Sequence, residues 1–127
     1  MLTVSVSVGE VVDKITILSI KRDTIRGVAA LKNVSVELKT LQDCLLNSSI
    51  NINQIEAEWA SLRAVNQQLW DIEDDIRDLE RRQEFGDTFV KVARSVYLLN
   101  DERARLKRLI NEKTNSGIIE EKSYTAY

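Results

Sequence analysis

Two groups of side chains in this sequence have the types and spacing to do chemistry. The first is basic and amide-bearing. Along one helical run, 55, 59, 62, 66, 69, 73, 76, Asn66 and Glu73 fall among apolar seam positions. Along a second, 89, 93, 96, 100, 103, 107, 110, the same is true of Asn100, Arg103 and Lys107. Guanidinium and ammonium groups converging on a cleft bind carboxylates and phosphates through charge-assisted hydrogen bonds. Arg94, Arg103 and Lys107, with Glu73 to orient them and Tyr97 opposite Glu73, would make a small anion site. The commoner use of polar residues in a helical seam is to fix the register of the two helices, and that reading competes directly.

The second group is acidic. Glu10 and Asp13 are spaced i, i+3, and Asp71, Glu73, Asp74, Asp75, Asp78 and Glu80 crowd one stretch. Carboxylates three or four residues apart share a helix face, and two such faces can hold magnesium. Glu10, Asp13, Asp74 and Asp78 are therefore weak metal candidates for a magnesium-dependent nucleotide hydrolase. The E-E-x-x-E element of the small helical nucleotide pyrophosphohydrolases does not occur, and most of these acids lie off the apolar stripe. A solvated acidic face is expected, with no metal or cofactor.

What the sequence lacks narrows the chemistry further. There is no histidine, which removes the commonest base near neutral pH and the commonest transition-metal ligand. There is no glycine-rich phosphate loop and no Ser-His-Asp set. The single cysteine, Cys44, has no partner for an internal disulfide. It fits a reducing, cytoplasmic setting, and beside Leu41 and Leu45 it reads as a small core residue. A net charge of −2 gives no general pull toward nucleic acid or an anionic membrane. No signal peptide and no membrane-spanning run is apparent.

The elements that must position these residues are helices. Proline is absent, so long helices can run unbroken. Ser7 and Glu10 have the spacing of a capping box, which opens a first helix from Val8 to about Arg26 that stops near Gly27. Val8, Val11, Val12, Ile15, Leu18 and Ile25 share one side, while Ile17 and Ile20 fall outside it. A helix apolar on more than one face is expected to be central, or to meet another subunit. Leu31, Val34, Leu38, Leu41 and Leu45 form a coiled-coil-like seam on a second helix. A third runs from Asn53 to about Gln83, with Ile55, Trp59, Leu62, Leu69, Ile76 and Leu79 inward. A fourth, capped by Asp87, runs to about Thr114. The short turn between the last two predicts an antiparallel hairpin that sets Asn66 opposite Arg103.

These readings predict an all-α, four-helix bundle-like fold in one domain, 1–127, built on the long helix 3–helix 4 hairpin. The strand-like segment 1–7 and the tail 118–127 are expected to pair as a short β element.

Four stretches carry a resemblance: Val6-Ser-Val-Gly-Glu-Val-Val-Asp-Lys-Ile-Thr-Ile-Leu18, Leu69-Trp-Asp-Ile-Glu-Asp-Asp-Ile-Arg77, Ala93-Arg-Ser-Val-Tyr-Leu-Leu-Asn-Asp-Glu-Arg103 and Glu120-Glu-Lys-Ser-Tyr124. Together they resemble a small domain-of-unknown-function family of bacteria and phages. The resemblance implies a compact helical protein and supplies no activity, cofactor or catalytic residue. The functional expectation therefore rests on the residues: a non-catalytic protein–protein interaction or regulatory module, partnered by another protein and self-associating as a homo-oligomer, with Ile17, Ile20 and Trp70 as interface candidates. The alternative is a small helical enzyme or sensor for an anionic metabolite.

Overall fold

The first helix starts where its cap predicts. The Ser7 hydroxyl accepts the Glu10 backbone N–H at 3.1 Å, and α1 runs Val8–Thr24. The capping box is only half formed, because the Glu10 carboxylate turns away to Lys107. The computed structural model describes all 127 residues and adds α2 (Val28–Leu46), α3 (Glu56–Arg81) and α4 (Asp87–Lys113). A 3-10 turn, Ile52–Ile55, leads into α3. No helix is long and apolar enough to cross a membrane.

Helix ends differ from expectation in physically simple ways. The chain leaves α1 in an extended step at Ile25, so Gly27 is not a left-handed cap; at φ −69° it is the N-cap of α2. The left-handed residues are Gln83 (φ 55°) and Asn115 (φ 51°). Each closes a Schellman motif. Glu84 N–H reaches Leu79 O at 2.9 Å, and Ser116 N–H reaches Asn111 O at 2.8 Å.

The expected β element is absent. Residues 1–6 and 117–127 carry no regular structure and are exposed, Leu2 at 95% and Val4 at 74%. The termini do meet, but through side chains. The Ser7 hydroxyl binds the Glu120 carboxylate, and the Val8 N–H donates to the Ser116 hydroxyl at 3.2 Å. The contacts between the termini thus begin at Ser7 and Val8, where the helix already starts, and no backbone ladder joins the two segments.

α1 is the spine. It packs against α2 on one side and against both α3 and α4 on the other, while α2 makes no comparable contact with the hairpin. One apolar cluster joins them: Val12, Ile15 and Leu18 with Val34 and Leu38 of α2, Leu62 and Val65 of α3, and Leu106 and Ile110 of α4. Because α2 is covered on one face only, Cys44 is exposed rather than part of the core.

The hairpin outruns this body. Between Trp70 and Leu99 only Leu79 is buried, and Ile72, Ile76, Val92 and Val96 are half-exposed. From Trp70 to the end of α3, at 1.5 Å per residue, the two helices project about 18 Å.

Candidate functional site

The centre of the protein holds a carboxylate. Asp13, in the middle of α1, has no exposed surface. Arg103 of α4 grips it with two nitrogens, Nε on Oδ1 at 2.9 Å and Nη2 on Oδ2. Asn66 of α3 donates to Oδ1 at 2.9 Å and to the Thr16 hydroxyl at 2.8 Å, and Thr16 donates in turn to the Asp13 backbone carbonyl. Burial pushes the Asp13 carboxyl up. The hydrogen bonds from Arg103 and Asn66, with the Arg103 and Lys107 charges, outweigh that and leave it below its ordinary value. The same pairing holds Arg103 above its ordinary value. The cluster thus ties three helices through a neutralised buried charge, the arrangement a buried ion needs to be tolerated.

One turn toward the start of α1, a second set joins α1, α4 and the tail. Lys107 Nζ sits 2.6 Å from Glu10 Oε2 and 3.3 Å from Glu120 Oε2. Gly9 lies against the α4 backbone. A Cβ there would stand 2.5 Å from the Lys107 carbonyl oxygen. The Gly9 N–H donates to Asn111 Oδ1 at 2.6 Å, and Asn111 is 2% exposed.

The residues singled out from sequence are only partly brought together: Asn66, Glu73, Asn100 and Arg103 line one groove, and Lys107, Arg94 and Tyr97 lie outside it. Asn66 and Arg103 meet, as the hairpin register predicts, but on Asp13. Lys107 belongs to the Glu10–Glu120 set. Arg94 and Tyr97 bond each other at 3.2 Å on the exposed face, where Tyr97 also packs at 5.3 Å on Tyr127. Glu73 is not turned inward to the basic groups or paired with Tyr97. It is exposed and bridges Arg77 at 3.2 Å.

Asn66, Glu73, Asp74, Asn100 and Arg103 all reach a groove of about 570 Å³ at the point where α1 leaves the hairpin. The interface candidates line the same groove: Ile20 is buried, and Ile17 and Trp70 are half-buried. Of the weak metal candidates, Glu10 and Asp13 are bound to cations, and Asp78 bridges Arg81 and Arg82 at 3.1 Å. No three acidic, histidine or cysteine side chains come together as a metal set.

Sequence reasoning missed Thr16, Asn111 and Glu120, and it gave Gly9 no role. One signal was available for Gly9. A glycine inside a helix otherwise rich in valine and isoleucine marks a close backbone approach.

Fold and site together define an all-α protein closed around a buried carboxylate–guanidinium pair. The chain belongs to a family of unknown function, DUF6165, whose model matches residues 2–127. No curated protein and no solved structure matches it. The four stretches that carried the resemblance supply Ser7, Gly9, Glu10 and Asp13 from the first, Arg103 from the third and Glu120 from the last.

Proposed function

We propose that this chain is a cytoplasmic, non-catalytic interaction module that pairs with a second copy of itself through the projecting half of the α3/α4 hairpin. The observation that carries the reading is the hairpin's overreach. Two helices without a third leave Ile72, Ile76, Val92 and Val96 half-exposed, with Val90, Tyr97 and Leu98 more open still. Two such hairpins can cover these stripes by packing together as a four-helix bundle.

Charge favours a second copy as that neighbour. Residues 71–80 of α3 carry six carboxylates and one arginine, whereas 88–98 of α4 carry Lys91 and Arg94 and no carboxylate. Setting α3 of one copy beside α4 of the other pairs these flanks, and like-charged alternatives are disfavoured. The groove at Ile17 and Trp70 continues the same open face. A non-catalytic role fits the interior chemistry, because a carboxylate held by a bidentate guanidinium is a weak base. The exposed free thiol of Cys44 fits a reducing compartment.

Size exclusion with light scattering tests the reading. Wild type is expected to run as a dimer, and Lys91→Glu/Arg94→Glu as a folded monomer. Mixing that variant with Asp74→Lys/Asp75→Lys should restore a heterodimer. A wild type that stays monomeric across its soluble concentration range would overturn the proposal.

A further inference from the structure

Between α4 and the tail lies a small cavity of about 130 Å³, larger than a single water needs. Its wall is polar apart from Ala104: Arg103, Lys107, Arg108, Asn111, Glu120 and Lys122. The acceptors on this wall are engaged and several donors are not. Glu120 is engaged by Ser7 and Lys107. The Asn111 amide oxygen is taken by Gly9, while its amide nitrogen donates to no group in the protein although the residue is 2% exposed. Arg103 binds Asp13 through Nε and Nη2, which leaves Nη1. Lys122 has no carboxylate partner and lies 5.8 Å over the Tyr124 ring.

We propose that this cavity binds a small oxyanion, phosphate or the phosphoryl end of a larger molecule. Asn111 Nδ2, Arg103 Nη1 and Lys122 Nζ are the donors, and Lys107 and Arg108 contribute charge. Spare donors around a pocket whose one carboxylate, Glu120, already holds Ser7 and Lys107 complement a group that only accepts, and hydrogen bonds to a charged partner are the strong kind. Asn111 Nδ2 has no partner in the protein and is not sealed from solvent, so it is free to donate to an occupant of the cavity. The carboxylates paired with these cations (Asp13, Glu10, Glu120, Glu112 and Glu121) keep the surroundings near neutral, so a lone small anion fits better than a polyanion. This site lies away from the projecting hairpin, and it stands or falls separately from self-association.

Titrating inorganic phosphate into the full chain at constant ionic strength, with chloride as the balancing salt, tests it by amide NMR. The side-chain amide of Asn111 should shift saturably. Asn111→Asp keeps the acceptor for Gly9 but replaces the donor with a negative oxygen, and should weaken binding by about tenfold or more. Lys122→Gln, on the exposed tail, leaves the core intact and should weaken binding by a few fold at least. Methyl phosphate run in parallel identifies the source: equal or tighter binding indicates a phosphoryl group of a larger molecule, and weaker binding indicates free phosphate. Absence of a saturable shift in wild type, or a Lys122→Gln protein that binds phosphate as wild type does, would overturn the assignment.

Discussion

Asp13 contributes most when its partner is present and does most damage when that partner is lost. Removing one side of a buried pair leaves the other charge in a poor solvent, at a cost of about 3–5 kcal/mol. Asp13→Ala should lose up to that much in urea denaturation, because Arg103, 30% exposed, then keeps a partly desolvated charge without its bidentate partner. The sign with pH follows from the lowered carboxyl. The stabilisation is fully present above the ordinary value of 3.8 and is lost as pH falls through the lower value in the folded protein. A urea-midpoint profile of wild type should therefore fall steeply at acid pH, whereas Asp13→Asn should start lower and show a flatter acid limb. The sequence placed Asn66 opposite Arg103 but not Asp13 between them. A helical wheel reports which residues share a face, and the crossing of α1 over the hairpin, which decides what each face meets, is not in it. Glu73 was misplaced for a related reason: beyond the end of α1 a seam position has no third helix to bury it.

At the scale of the element, Gly9 decides how closely α1 can lie on α4. Alanine normally favours a helix over glycine by up to about 1 kcal/mol. Here the new methyl would meet the Lys107 carbonyl at 2.5 Å and Asn111 Oδ1 at 2.9 Å. A backbone carbonyl cannot swing aside, so the clash outweighs the propensity gain. Gly9→Ala should destabilise by about 1–3 kcal/mol, read as a lower urea midpoint with unchanged slope. Apolar stripes were the most legible feature of the sequence: Val34, Leu38 and Leu45 of α2, and Leu62, Leu106 and Ile110 of the hairpin, all turn inward as their spacing predicts. Helix ends were less legible. They depend on one residue's φ, and Gln83 and Asn115 took the left-handed positions that glycine would fill more cheaply. Cys44 went wrong because it adjoins the seam without lying on it.

Over the whole molecule, the all-helical class and the hairpin followed from periodicity and the missing proline. The order in which the helices touch did not, since no spacing within α2 says that it rests on α1 alone. That asymmetry also bears on how the protein opens. A helix with a single neighbour can detach without disturbing the rest, while α1 cannot leave without exposing Asp13, Arg103 and the apolar cluster together. Native-state hydrogen exchange should then resolve two tiers. Amides of α2 should exchange through a low-energy opening, and those of α1 and the adjoining halves of α3 and α4 only near global unfolding. Equal protection in α1 and α2 would show that the four helices open as one unit.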